Sequence, residues 1–229
     1  TRFGYPTGAN TDNGIGASDP QPDRKIGLTR ALSATAFLAG LPGSIYLYNG
    51  EELGLPDATK LPDEARQDPT WQRSGFRVRG RDGCRVPLPW SDEPGSNFGF
   101  SPAGASPAWL PQPDDWGELS VKAQESDPNS PLNFYRKMLA VRRDLGLGMG
   151  ESTWLDSDPE VLALQVTGAN GTRVVVVTNL GIGVRPLPEI AVADSAKIVL
   201  ATPGIGSSLT ENSSREDNIA PGQTLWIEI

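Results

Sequence analysis

Two arginines and the aspartate between them, Arg81, Asp82 and Arg85, are the side chains of this sequence whose types and spacing best fit a binding site. Each guanidinium is a planar fork of N–H donors, which suits bidentate contacts with carboxylates or with the hydroxyls of a sugar. On side-chain chemistry alone the simpler interpretation is an ion pair that ties down a loop, because such pairs are common and weak. Side-chain chemistry therefore leaves a binding site and a loop anchor both open.

The composition excludes several classes of site and partner. The chain has no histidine and one cysteine, Cys84, so it can build neither a Ser–His–Asp or Cys–His nucleophile nor an internal disulfide. Its formal net charge of −8 argues against binding to nucleic acids or to anionic membranes. No apolar run is long enough to span a bilayer. We predict no metal and no cofactor, and we expect Cys84 to be a buried packing residue beside the arginines.

Adjacent carboxylates occur at Glu51-Glu52 and at Asp63-Glu64. Neighbouring residues on a strand or at its exit point to opposite sides, so Glu51 and Glu52 cannot flank one scissile bond. We predict instead that Glu51 and Glu52 orient an arginine or a backbone turn without contacting the substrate. Asp63 and Glu64 are interpreted as solvated charges of a loop.

The elements that must position these residues begin with a helix and a strand. Residues 26–41 have helical spacing and are apolar on almost every side, which predicts a helix packed against several neighbours. Residues 44–48 follow as a short unbroken apolar run, which is typical of a buried parallel strand. A helix and a strand joined by a short link form the repeating unit of an α/β barrel.

Residues 49–128 show no clear periodicity, and such a long stretch within a compact domain is usually functional or contains hidden structure. It contains several tryptophans, which we interpret as anchors of the loop more readily than as platforms for a sugar ring: Trp71, Trp90, Trp109 and Trp116. Residues 130–145 then predict a second helix, with Ser130 as its N-cap and with Arg142 and Arg143 on its solvated side.

After this helix the pattern changes to short strands, at 161–166, 173–178, 197–201 and 223–229. An Asn-Gly pair between the first two predicts a hairpin turn, so we expect the strands to be antiparallel. In the last strand apolar residues alternate with Thr224, Trp226 and Glu228, which predicts that one face is buried. We place the boundary between two domains, 1–147 and 148–229, at a glycine-rich run.

Two segments of the chain together resemble a known family: Tyr48-Asn-Gly-Glu-Glu-Leu-Gly54, and Arg81-Asp-Gly-Cys-Arg-Val-Pro-Leu-Pro-Trp90. In this order they resemble the α-glucosidase branch, which includes oligo-1,6-glucosidase-like enzymes, of the α-amylase superfamily, glycoside hydrolase family 13. The resemblance runs along essentially the whole chain. It implies an α/β plus β fold: the C-terminal portion of a TIM (β/α)8 barrel, around its seventh and eighth units, followed by an antiparallel β-sandwich.

The resemblance also implies an activity, the retaining hydrolysis of terminal α-glucosidic bonds in small oligosaccharides. The nucleophile, the acid/base and a third carboxylate would lie upstream of Thr1, so we predict no catalytic residue here and expect the 229 residues alone to be inactive. In the family, the first arginine of the second segment contacts the hydroxyls of the terminal glucose, and this role carries over to Arg81. Arg85 would brace the same pocket, and Asp82 would orient Arg81.

The partners implied by the resemblance are a small α-glucoside substrate and either the upstream part of the same enzyme or an oligomeric mate, in the cytoplasm. Two alternatives stay open. One is a relative that transfers or isomerises, such as a sucrose isomerase or a trehalose synthase, because the loops that decide between these reactions lie outside the chain. The other is a standalone carbohydrate-binding or structural module without activity.

Overall fold

The computed structural model describes residues 2–5, 13–206 and 217–229 of the chain. The helices of these residues are α1 (Arg24–Gly40), α2 (Pro69–Arg73), α3 (Val121–Glu125) and α4 (Pro131–Asp144). The strands are β1 (Glu151–Trp154), β2 (Val161–Thr167), β3 (Arg173–Asn179), β4 (Arg185–Pro186), β5 (Lys197–Ala201), β6 (Asn218–Ile219) and β7 (Thr224–Glu228). Within the same residues, no helix combines the length and the apolar composition that crossing a membrane requires.

The chain forms two compact units, each assembled from two segments. The first, here called the loop unit, comprises Thr1–Gly27 and Tyr48–Asn133. The second, here called the sheet unit, comprises Leu28–Leu47 and Phe134–Ile229. The predicted division of the chain into domains 1–147 and 148–229 stays a prediction.

The sheet unit is built on a five-stranded antiparallel sheet in the order β1-β2-β3-β7-β5. The four predicted strands correspond to β2, β3, β5 and β7, and the antiparallel arrangement is confirmed. The hairpin between β2 and β3 turns at Gly171, where φ is +84°. β4 and β6 form a second, two-stranded sheet. These two strands and the edge strand β1 have no counterpart among the predicted ones.

Both faces of the central strands β3 and β7 are buried, which corrects the expectation that only one face of the last strand is covered. Val174 and Val176 of β3 pack in one apolar cluster with side chains of α1 and α4, while Val175 packs in a second cluster on the opposite face. Trp226 of β7 is completely buried, and its indole Nε1 donates to the carbonyl of Ala36 at 3.0 Å. The helices therefore supply a layer that the alternation within one strand does not reveal.

Arg142 of α4 is buried, although the sequence placed it on the solvated side of this helix. Its Nη1 donates to the carbonyl of Ala39 and, at 2.6 Å, to that of Leu41, while its Nη2 donates to the carbonyl of Gly43 at 2.6 Å. The last carbonyls of a helix have no partners within the helix, and α1 ends at Gly40. Arg142 therefore caps α1, and its burial lowers the pKa of the guanidinium.

The segment 44–48 is not a strand, contrary to the prediction. No strand of the described residues pairs with it. Tyr46 is 90% exposed, and Tyr48 is also exposed. A buried parallel strand needs a hydrogen-bonded neighbour on each side, and every strand pair in the described part of the chain is antiparallel. An apolar run by itself therefore does not determine a strand.

The loop unit has little regular structure, but it contains a small core. The buried apolar side chains of this core are Ala58, Leu61, Val86, Phe98, Leu110 and Trp116. The tryptophans expected to anchor the loop divide into two kinds, since Trp71 and Trp116 are buried while Trp90 and Trp109 are exposed. The aperiodic stretch 49–128 thus contains hidden structure, held by short helices and single 3-10 turns.

Candidate functional site

The two arginines of the sequence motif flank a single 3-10 turn, Asp82–Cys84, in the loop unit. Arg81 precedes the turn, and Arg85 closes it by donating its backbone N–H to the carbonyl of Asp82 at 3.0 Å. At about 2 Å of rise per residue, so short a turn keeps its two flanking residues near each other. The spacing of Arg81 and Arg85 therefore allows both guanidiniums to reach one partner.

That partner is Asp68, which the sequence analysis did not single out. Its side chain is 2% exposed, and its Oδ2 accepts from Nε of Arg81 at 3.4 Å and from Nη1 of Arg85 at 3.2 Å. The same oxygen accepts the backbone N–H of Arg81 at 3.1 Å. The other oxygen, Oδ1, accepts the backbone N–H of Thr70 at 2.9 Å and so caps α2. One buried carboxylate thus binds both arginines and a helix terminus.

The carboxylate of Asp82 is directed to backbone groups and not to Arg81, which it was expected to orient. Its Oδ2 accepts the backbone N–H groups of Gln67 and Asp68 at 2.7 and 2.8 Å. Its Oδ1 lies 4.0 Å from Nη1 of Arg85. Asp82 therefore holds the segment that carries Asp68, and it is Asp68 that contacts the side chain of Arg81.

The two segments hold each other reciprocally, since Asp82 binds the N–H of Asp68 and Asp68 binds the N–H of Arg81. Gly80 makes room for this approach. A Cβ at Gly80 would lie 2.7 Å from Cβ and Cγ of Asp68, and its φ of +70° is a conformation that favours glycine. We call the set Asp68, Gly80, Arg81, Asp82 and Arg85 the arginine clasp.

The electrostatics of the arginine clasp keep Asp68 charged. Hydrogen bonds from the backbone and hydroxyl of Thr70, and then from Arg81, outweigh the effect of burial and hold the pKa of Asp68 well below its usual range. The side chain of Arg81 is 73% exposed, and that of Arg85 is 36% exposed. Within the described part of the chain, the two Nη groups of Arg81 have no hydrogen-bond partner, so their N–H donors are available to a ligand.

Cys84 is exposed, which corrects the expectation that it is a buried packing residue. The turn that contains it buries Asp82 and Gly83 and leaves the thiol at the surface. The thiol donates to the carbonyl of Arg81 at 3.1 Å and lies 3.8 Å from the hydroxyl of Tyr48. The hydrogen bond with Cys84, together with burial, raises the pKa of Tyr48.

Glu51 and Glu52 begin a 3-10 turn, Glu51–Leu53, that follows Gly50. Oε2 of Glu52 accepts the backbone N–H of Gly50 at 2.9 Å, where φ is +95°. Burial raises the pKa of Glu51. Among the described residues no hydrogen bond or ion pair joins either glutamate to the arginine clasp. Glu52 therefore stabilises a backbone turn, and neither glutamate is hydrogen-bonded to the clasp in the described part of the chain.

A second arginine–carboxylate pair in the loop unit is structural. Nε of Arg66 donates to Asp63 at 2.9 Å, and its Nη2 donates to the carbonyl of Leu61 at 3.0 Å. The guanidinium of Arg66 is buried and lies 5.6 Å from the ring centre of Trp71. Asp63 is thus a paired charge and not merely a solvated one. Across the described ranges, no three or more histidine, cysteine, aspartate or glutamate side chains are grouped as metal ligands would be.

One sequence signal could have identified Asp68. The order Asp68-Pro69-Thr70 places an N-cap residue directly before a proline, and this pair is typical of a helix start. The signal predicts the cap on Thr70, but it does not predict that the second oxygen of Asp68 binds two arginines. In chemical terms, the clasp presents exposed, oriented N–H donors on a rigid carboxylate anchor, which can bind the oxygen acceptors of a ligand.

The comparison with protein families gives a direct match. Residues 10–147 match the family model described as "Alpha amylase, catalytic domain". The matched region contains the arginine clasp and most of the loop unit. A match over more than half of the chain establishes the family.

Two curated relatives differ in their described activity. The chain is 35% identical over 184 residues to the trehalose synthase/amylase TreS of Mycobacterium tuberculosis, which covers 72% of this chain and 28% of that protein. It is 36% identical over 128 residues to a probable alpha-glucosidase of Rhizobium meliloti, which covers 56% of this chain and 22% of the relative. The chain therefore spans between about a fifth and a third of the length of these relatives.

A solved structure agrees with these matches. The crystal structure of the alpha-glucosyl transfer enzyme XgtA superposes with a TM-score of 0.66 and 28% sequence identity, covering 91% of this chain and 36% of that one. The family match, the curated relatives and this structure lead to one conclusion: the chain belongs to the α-amylase family, glycoside hydrolase family 13.

Proposed function

We propose that this chain is part of a retaining α-glucosidase that hydrolyses terminal α-glucosidic bonds of small oligosaccharides, and that Arg81 binds hydroxyls of the terminal glucose. The arginine clasp is the observation that carries the proposal. Arg81 is anchored through Nε to a buried carboxylate while its Nη groups are exposed. Hydrogen bonds from a charged donor to a neutral hydroxyl contribute roughly 1.5–3 kcal/mol each. Arg85 braces the same carboxylate.

The chain supplies substrate contacts in this proposal, and other parts of the enzyme supply the bond-breaking groups. Similarity to the probable alpha-glucosidase supports a hydrolase. We infer that the nucleophile, the acid/base and the third carboxylate belong to the portion of such enzymes that this chain does not span. The upstream part of the same enzyme, or an oligomeric mate, would complete the site, and the 229 residues alone would be inactive.

The proposal is tested by steady-state kinetics of the full-length enzyme on maltose and p-nitrophenyl α-glucoside. We expect Arg81→Ala to lower kcat/KM by about tenfold or more, mainly through KM, because it removes contacts worth a few kcal/mol. Arg81→Lys should recover little activity, because a point charge replaces the fork. Arg77→Ala is the matched control, since Arg77 is an exposed arginine bonded to the carbonyl of Ser74. Unchanged kinetics for Arg81→Ala would contradict the assignment.

A second candidate function is the isomerisation or transfer of a glucosyl unit. The 35% identity to the trehalose synthase/amylase over 72% of the chain supports it. Both reactions begin with the same cleavage and differ in whether water or a sugar hydroxyl accepts the glucosyl unit. Product analysis after incubation with maltose and with sucrose distinguishes them: free glucose as the main product supports the hydrolase, and a new disaccharide supports the transferase.

A further inference from the structure

We propose that Asp68 is a positioning residue for this reaction: it fixes the guanidinium of Arg81 in the orientation that binds the substrate. The inference rests on the proposed function, because it acts through the substrate contact assigned to Arg81. Asp68 itself is 2% exposed, so its carboxylate is not available to a sugar. Its effect must therefore pass through the arginines.

The contacts of Oδ2 explain how one atom can orient a long side chain. It accepts both the backbone N–H of Arg81, at 3.1 Å, and Nε of the same residue, at 3.4 Å. Fixing both ends of the aliphatic stem removes most of the rotamer freedom that makes an exposed arginine costly to order. Because the anchor uses Nε, the outward edge of the fork, formed by the two Nη groups, is left for the ligand.

The second arginine makes the charge of Asp68 necessary. Nη1 of Arg85 lies 3.2 Å from the same oxygen, so two guanidiniums share one carboxylate. Without the negative charge, the two cations would repel each other, and the exposed one would turn toward solvent. Asp82 and Gly80 help to hold Asp68 in place. Asp82 accepts the backbone N–H of Asp68, and Gly80 leaves space for the side chain of Asp68.

The structural role of Asp68 can be separated from the positioning role, because its two oxygens have different partners. Oδ1 caps α2 by accepting from Thr70, and Oδ2 binds the arginines. Asparagine is as good an N-cap as aspartate. Asp68→Asn therefore keeps the cap and removes the charge that holds the arginines, so it is the variant that tests positioning without unfolding the loop unit.

The experiment is a double-mutant cycle in the full-length enzyme, with kcat and KM measured for Asp68→Asn, Arg81→Ala and the double variant. We expect Asp68→Asn to lower kcat/KM by about tenfold, mostly through KM, with a native circular dichroism spectrum. In the Arg81→Ala background the same change should cost less than about twofold, because there is no longer a side chain to position. Asp63→Asn, which breaks the pair with Arg66, is the matched control and should leave KM unchanged.

The outcomes separate the two proposals. If Arg81→Ala lowers kcat/KM but Asp68→Asn does not, the positioning role is wrong and the proposed function stands. If Asp68→Asn costs as much in the Arg81→Ala background as in the wild type, its role is structural and the inference is likewise overturned. If Arg81→Ala is silent, the substrate contact is wrong and the positioning role fails with it.

Discussion

The loop unit and the sheet unit each depend on an arginine, but they use it in opposite ways. In the sheet unit, Arg142 is buried and donates to the carbonyls of Ala39, near the end of α1, and of Leu41 and Gly43 just beyond it. In the loop unit, the guanidinium of Arg81 is largely exposed and is held by Nε alone among the described residues. An arginine thus caps a helix terminus in the sheet unit, whereas an arginine of the loop unit keeps N–H donors that a ligand can reach.

The difference follows from what holds each unit together. Two apolar clusters on the faces of the five-stranded sheet stabilise the sheet unit, and its polar groups are satisfied around that core. The loop unit has a smaller apolar cluster and little regular structure, so reciprocal bonds between carboxylates and backbone N–H groups fix its segments. The exposed side chain of Arg81 is therefore placed by polar contacts in the loop unit, where a hydrophobic core alone would not orient it.

Among substitutions that test this difference between the units, Arg142→Ala is expected to lower the free energy of unfolding most. It removes the buried hydrogen bond to the carbonyl of Ala39 and the part-buried ones to Leu41 and Gly43, and a buried unsatisfied carbonyl costs about 1–3 kcal/mol. We therefore expect the free energy of unfolding to fall by roughly 3 kcal/mol, measured by urea denaturation. Arg143→Ala is the control, because the Arg143–Asp144 pair is exposed, and we expect a change below about 0.5 kcal/mol. Equal effects of the two substitutions would show that burial does not distinguish them.

A smaller effect is expected from Gly80→Ala, which pushes a Cβ against Asp68. Gly104→Ala is a matched control, because Gly104 has a similar φ of +79° and nothing within 4 Å of its virtual Cβ. Both substitutions strain a left-handed backbone by about 1 kcal/mol, and Gly80→Ala should cost about 1 kcal/mol more through overpacking. Kinetics of the full-length enzyme should show a raised KM for Gly80→Ala alone. If Gly104→Ala raised KM as well, the effect of Gly80→Ala could not be attributed to its contact with Asp68.

The smallest expected effect is a pH dependence of the stability that the arginine clasp contributes to the folded chain. The pKa of Asp68 is depressed in the folded chain, so its ionised form contributes stability that is fully present above the unfolded pKa, about 3.9, and is lost as the pH falls through the folded pKa. Asp68→Asn should reduce the free energy of unfolding by roughly 1 kcal/mol at neutral pH. Denaturation of both proteins over a pH series should show this difference shrinking below about pH 4. A constant difference would mean that the charge of Asp68 contributes nothing.

The sheet unit could largely be predicted from the sequence, because its strands carry local signals. The Asn-Gly hairpin and the apolar runs of β2, β3, β5 and β7 identify the antiparallel sheet. The burial of Trp226 and Arg142 could not be predicted, since it depends on α1 and α4 covering the second face of the sheet. Helical periodicity places Arg142 off the apolar face, but it does not show where another helix ends.

The candidate site was predictable only in its outline. The resemblance to the family singled out Arg81 and Arg85, and it implied that Asp82 orients Arg81. The structure assigns that contact to Asp68, from a separate segment of the chain. Which carboxylate an arginine contacts depends on how two aperiodic segments cross, and neither propensity nor periodicity contains that information. The exposure of Cys84 could not be predicted for a similar reason, because it depends on which side of one 3-10 turn other residues cover.

The exposed thiol of Cys84 also has a practical use. It is the single cysteine of the chain, and it lies between the two arginines, with its sulfur 3.1 Å from the carbonyl of Arg81. A maleimide-linked fluorophore or spin label would therefore attach at one position of these 229 residues without any substitution. The sequence thus provides a spectroscopic reporter beside Arg81, through which the sugar binding proposed above could be tested as a change in emission or in spin-label mobility.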